Sequence, residues 1–219
     1  MAQFGRALRS GRRGRRFESC HADFLCSIYT IYIFLKNTYF EDSVDIENLI
    51  TQESIDKLKR PIFSTIDNVE VTEYIFYYCK KLLIYAKERH NSKEMAYAIN
   101  LNTLDFIGSA FGNSKSVDIT PLIRLMSNKK NLFVVIHNHP SSRPFSPKDL
   151  NTFFSTSNMM ILVVLGNNGI IYIIEKCAHI SDESYAEIKK LIIKYRQSKI
   201  DFDKLIFKLM NYNITFNSF

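Results

Sequence analysis

The apolar and polar positions change period several times along the chain, and each change predicts an element. Residues 71–90, "VTEYIFYYCKKLLIYAKERH", space Ile75, Cys79, Leu82 and Leu83 for one buried helical face. "EMAYAINLN" (94–102) and "LDFIGSAFG" (104–112) read as two strands joined by a short turn. "ITPLIRLMSNKKN" (119–131) reads as a helix with a basic last turn, the end at which the helix dipole favours cations. "LFVVI" (132–136) is a continuous apolar run, as in a central strand covered on both faces. "SPKDLNTFFSTS" starts a further helix, and "MMILVVLG" and "GIIYIIEK" flank Asn167 and Asn168 as a hairpin. "SDESYAEIKKLIIKYR" reads as a C-terminal helix, with a weaker helical tail over 198–219. Before these, "DSVDIENLITQESIDKLKRPIF" predicts one or two short helices ending near Pro61. The expected fold is α/β (α+β): a mixed β-sheet flanked by helices, over residues 65–197. A peripheral helical segment (23–64) precedes it and the helical tail follows.

Charge separates the first residues from the rest. The net charge is +7, yet Arg6, Arg9, Arg12, Arg13, Arg15 and Arg16 supply six of those charges, with no acid among the first 16 residues. The remainder is close to neutral and gives no support for a nucleic-acid-binding face. Residues 1–22 are expected to be a non-functional Arg-rich leader. "RFESC" (16–20), read back into codons, fits the T-arm of a transfer-RNA gene, and the composition turns to Ile, Lys, Asn, Tyr and Phe after Phe24. An origin at such a gene suits a mobile element. "DFLCSIYTIYIFL" is about half the roughly 20 residues of a membrane span and lacks a small-residue cleavage site, so neither a span nor a signal peptide is expected. Cys20, Cys26, Cys79 and Cys177 form no CxxC pair, which fits a reducing cytoplasm.

The chemistry concentrates where the apolar run ends, at "HNHPSSRPFSPKDL" (137–150). If the strand continues through His137 and His139, their rings point the same way and can grip one metal ion. Zinc suits nitrogen and carboxylate ligands, and a catalytic site takes a third protein ligand, for which Asp149 is near enough in sequence. Ser146, Pro147 and Asp149 also make an ordinary helix start, with Ser at the N-cap, Pro at N1 and an acid at N3. The two readings are compatible, because a helix start holds N3 rigidly. His21, His90 and His179 read as surface or packing residues.

His137, His139, Ser146 and Asp149 resemble the JAMM (JAB/MPN) metalloprotease signature, HxHP followed by SxxD, and "HNHPS" is similar to the RadC-like JAB domains. The resemblance covers residues 94–176. It implies a β-sheet with flanking helices and zinc-dependent hydrolysis of peptide or isopeptide bonds in a peptide or protein substrate. By that resemblance His137, His139 and Asp149 are the zinc ligands. Glu94, at the start of an apolar strand, is the proton acceptor, with Glu88 its competitor, and Ser146 donates to the developing oxyanion. Ser146 lies seven positions after His139, where the family pattern usually has eight. Two other readings are a non-catalytic JAB-like binding module of a mobile element or a repair-associated protein, and a nuclease. HNH nucleases spread those three residues over a ββα unit, and the near-neutral body offers little to a polyanion.

Overall fold

The structure is a computed structural model, and it describes residues 42–219 apart from Ser127 and Lys129. The Arg-rich leader and the apolar run of residues 23–35, with Cys20, Cys26 and His21, lie outside the described residues.

Six strands form one mixed sheet: β1 (Met95–Asn100), β2 (Phe106–Phe111), β3 (Phe133–His139), β4 (Met159–Gly166), β5 (Ile171–Lys176) and β6 (Ile214–Ser218), in the order β2-β1-β3-β4-β5-β6. Only β3 and β4 run parallel; the other neighbours are antiparallel. Parallel neighbours need a crossover, and here it holds the helix α4 (Pro147–Ser155). The helix therefore begins beside the end of β3.

β3 is buried along its whole length, as its unbroken apolar run predicts. Its side chains alternate between two cores. Val134 and Ile136 face a cluster with Ile75, Cys79, Leu82 and Leu83 of α2 (Val69–Arg89), each 0% exposed. Phe133 and Val135 face the opposite cluster, which α3 (Thr120–Leu125), α4, α5 (Asp182–Arg196) and α6 (Phe202–Leu209) cover. The expected mixed sheet flanked by helices is the observed architecture.

Three sequence expectations are corrected. The segment before α2 is more than peripheral over its described part. It holds a 3₁₀ turn at Ile46–Asn48 and the short α1 (Gln52–Asp56), and buries Ile50, Ile55, Leu58 and Phe63 in the α2-side core. Glu175, fully buried, fastens it to the sheet by accepting the Ser64 and Thr65 backbone N–H groups at 2.8 and 2.9 Å. The helix expected over 119–131 stops at Leu125, because the following carbonyls turn towards another partner. Asn158 Nδ2 donates to the Met126, Asn128 and Asn131 carbonyl oxygens at 2.9, 3.3 and 3.0 Å. The helical tail ends in a strand. Asn213 adopts a left-handed conformation (φ 57°), which stops the helical run, and β6 then satisfies the open edge of β5. The sheet thus extends past the expected boundary at 197.

The β4–β5 hairpin turns through Asn167 and Asn168 as expected. Gly169 has φ 91°, and a Cβ there would collide with the Ser54 carbonyl, so the turn and the packing both require glycine.

Candidate metal centre

His137 and His139 are the last odd-numbered residues of β3 and lie on the α4 side of the sheet. Ala96 of β1 pairs with His137, and two further steps along that antiparallel register set Glu94 opposite His139 on the same face. The Glu94 backbone is held by the neighbouring strand: its N–H donates to Asn113 and its carbonyl accepts from Gly112, at 2.9 and 2.8 Å. Strand pairing therefore brings a carboxylate to two imidazoles that lie 43 and 45 residues later in the chain.

Asp149 arrives from the crossover. Ser146 caps α4: its Oγ accepts the Asp149 N–H at 3.2 Å, and Asp149 Oδ2 accepts the Ser146 N–H at 2.7 Å. This reciprocal capping box fixes the carboxylate over the end of β3. Asp149 Oδ1 lies 3.6 Å from His137 Nε2, Oδ2 lies 3.3 Å from His139 Nε2, and the two Nε2 atoms are 3.0 Å apart. The loop that is one residue short of the family pattern still delivers the acid to both rings.

Those separations suit one shared ion. Ligand atoms bound tetrahedrally at about 2.0–2.1 Å stand roughly 3.3 Å from one another. One ligand atom from each of the three residues lies within 4.8 Å of the other two. The His139 ring is also oriented for this role, because its Nδ1 meets the Arg143 carbonyl at 2.9 Å. An N–H there leaves Nε2 with its lone pair facing Asp149. His137 Nδ1 is buried without a hydrogen-bond partner among the described residues, so that ring is held by packing and by its Nε2 contacts to His139 and Asp149. Two imidazoles and a carboxylate, buried or nearly so, form a donor set that fits zinc.

The electrostatics separate the two acids. Burial pushes the Glu94 carboxyl up to about 7, against smaller lowering effects from His139, Lys148 and the Val117 backbone N–H. Burial also acts to raise Asp149, but His137 and His139 outweigh it and hold that carboxyl well below the usual carboxylate range. Desolvation lowers His137. It opposes the charged form of His139 as well, yet Asp149, Glu94 and the Arg143 carbonyl leave that ring above the ordinary histidine value. One acid is thus suited to hold a cation and the other to exchange a proton near neutral pH.

A cleft of about 230 Å³ opens over the group. Glu94, His139, Ser146 and Asp149 line it together with Lys148 and Tyr195. Ser146 Oγ accepts from the backbone, and its own proton has no acceptor among the described residues. Glu88 is exposed on α2 and does not line the cleft. His90 is a packing residue, edge-on to Phe111 with Nε2 3.1 Å from the Gly112 carbonyl, and His179 is exposed.

Sequence reasoning missed the support beneath the site. Asn138, between the two histidines, points to the opposite face by strand alternation. Its Oδ1 accepts the Met95 N–H at 2.9 Å, and its Nδ2 donates to Asn167 Oδ1 at 2.8 Å and to the Lys93 carbonyl at 3.2 Å. Asn167 in turn donates to the Asn48 and Ser92 carbonyls. The alternation itself was the available signal, since a buried Asn next to Met95 must be hydrogen-bonded. Comparison with protein-family models, with curated proteins and with solved structures finds no match to this chain.

Proposed function

We propose that this chain is a RadC-like JAB domain protein of the JAMM type, a zinc metallopeptidase that hydrolyses peptide or isopeptide bonds. The observation that carries the reading is the convergence of His137, His139 and Asp149 at tetrahedral spacing beside a cleft that also holds Glu94. His137 and His139 would hold the ion through their imidazole nitrogens and Asp149 through a carboxylate oxygen. When bound, zinc supplies Lewis acidity and a water activated near neutral pH. Glu94 accepts a proton at its carboxylate and returns it to the departing amine, as a carboxyl raised to about 7 can do. Ser146 Oγ–H donates to the carbonyl oxygen as charge develops on it, a contribution on the order of 3 kcal/mol. Cys79 and Cys177 are free thiols, which suits work in a reducing cytoplasm. Among the described residues no helix is long and apolar enough to cross a membrane.

The test is metal content of the purified protein. One zinc per chain is expected, lost on His137→Ala or His139→Ala, with Asp149→Asn weakening retention more than Glu94→Gln does. Zinc held equally by Asp149→Asn and the parent would remove this carboxylate from the ligand set and sink the assignment.

A further inference from the structure

The cleft continues into a second groove between α4 and α5. The two share Ser146, Pro147 and Lys148 in their walls, and the second, of about 580 Å³, is completed mainly by Lys189, Ile192, Ile193 and Arg196. Positions 189, 192, 193 and 196 follow helical spacing, so a single face of α5 presents an apolar pair between two cations. Ile193 is 45% exposed, a large aliphatic surface on a face that is otherwise charged. The cleft contributes further cations, Lys115 and Arg143. None of Lys115, Arg143, Lys148, Lys189 and Arg196 is within ion-pair distance of a carboxylate among the described residues. The acids in these walls are Glu94 and Asp149 alone, and both belong to the metal centre.

We infer that this continuous track binds an acidic polypeptide segment with an apolar anchor, the part of a protein substrate that leads its scissile bond to the metal centre. The substrate role rests on the peptidase reading above; the binding itself does not. Five exposed cations without acidic partners, along a track whose floor is aliphatic, complement carboxylates alternating with aliphatic side chains. A single-stranded nucleic acid fits less well. The α4–α5 groove has no aromatic face on which bases could stack, and of the two aromatic residues in the cleft Phe145 is fully buried, leaving Tyr195 alone rather than a row of rings. The chain beyond its first 16 residues is also near neutral overall, which offers little to a polyanion.

Fluorescence anisotropy with the full chain tests this, with and without added zinc. The probes are a short labelled peptide alternating Glu and Leu, the same peptide with Lys for Glu, and a single-stranded DNA of similar length. The Glu peptide should bind at least about tenfold more tightly than the Lys peptide, and more weakly as salt rises. The combined change Lys148→Glu, Lys189→Glu, Arg196→Glu should abolish that preference. Ile193→Asp, a single change at an exposed position, should weaken the Glu peptide several-fold. His137→Ala should lose zinc and keep the preference. Equal binding of the two peptides, an unchanged preference in the charge-reversed protein, or displacement of the Glu peptide by the DNA at equal concentration would overturn the inference. Peptide preference in a protein that holds no zinc would refute the metallopeptidase reading alone; zinc without the preference would refute this inference alone.

Discussion

Glu94 is the residue on which chemistry and stability meet. The residue is 7% exposed and its carboxyl is raised to about 7 from an ordinary 4.5, chiefly by burial. In the metal-free protein the folded state keeps a proton that the unfolded chain releases between those two values. Its favourable contribution is therefore complete below 4.5 and is lost as pH rises through 7. Glu94→Gln removes the buried charge, so it should stabilise the metal-free protein by up to about 3 kcal/mol well above pH 7 and by nothing in acid, as read from denaturant midpoints. The same change should leave zinc bound and lower hydrolysis of a cleavable peptide by a factor on the order of 10². On the proposed peptidase reading the acid limb of the rate profile should move with it, because the parent would need Glu94 unprotonated and would gain activity as pH rises. A Gln variant as active as the parent would remove Glu94 from the mechanism.

Among the elements, α4 places the site, and both of its ends are held. Its first turn is closed by the Ser146–Asp149 capping box. Its last carbonyls meet Lys176 of β5, whose Nζ donates to Phe153 O and Thr156 O, both at 2.8 Å, and lies over the Phe153 ring. A buried ammonium at a helix C-terminus complements the dipole, yet burial still pulls Lys176 down to about 7 from 10.5. Between those values the unfolded chain binds the proton and the folded chain does not, so this residue makes stability rise with pH across that window. The slope is at most about 1.4 kcal/mol per pH unit. Lys176→Met should flatten the rise and lower the denaturant midpoint near neutral pH, where two helix-end carbonyls lose their donor. An unchanged slope would mean that Lys176 keeps its proton in the fold.

Across the molecule, five separate stretches of chain meet at the Asn138–Asn167 amide pair: the segment before α2, the turn after it, the start of β1, the end of β3 and the β4–β5 turn. Asn167→Ala would leave the Asn48 and Ser92 carbonyls and one Asn138 N–H without their partner. The expected loss is about 2–4 kcal/mol, since each buried polar group left unsatisfied costs on the order of 1–3 kcal/mol. Chemical denaturation of the variant checks this, and a midpoint within error of the parent would show that water replaces the amide. Asn167→Asp keeps the shape but turns the two donors into an acceptor facing two carbonyls, so it should be no milder than Ala at neutral pH.

Local periodicity was legible in the sequence by itself. The helix of Ile75, Cys79, Leu82 and Leu83, the buried run ending in His137 and His139, and the cap at Ser146 each depend on neighbours within a few residues, where strand and helix periods dictate which way side chains point. His137, His139, Asp149 and Glu94 stood out in the sequence through a resemblance to a motif, and the fold brings the first three together beside the cleft that Glu94 lines. The folded chain alone decided what meets across distance. Glu175 reaches Ser64 over 111 residues, Asn167 reaches Ser92 over 75, and β6 pairs with β5 although its alternation at Ile214 and Phe216 is short enough to pass for a helical tail. The track of Lys115, Arg143, Lys148, Lys189 and Arg196 is equally invisible in one dimension, because its members come from two loops and two helices. Period is set by the backbone of each segment. Which segments become neighbours is set by sheet order and by the packing of two cores, and a linear pattern carries neither.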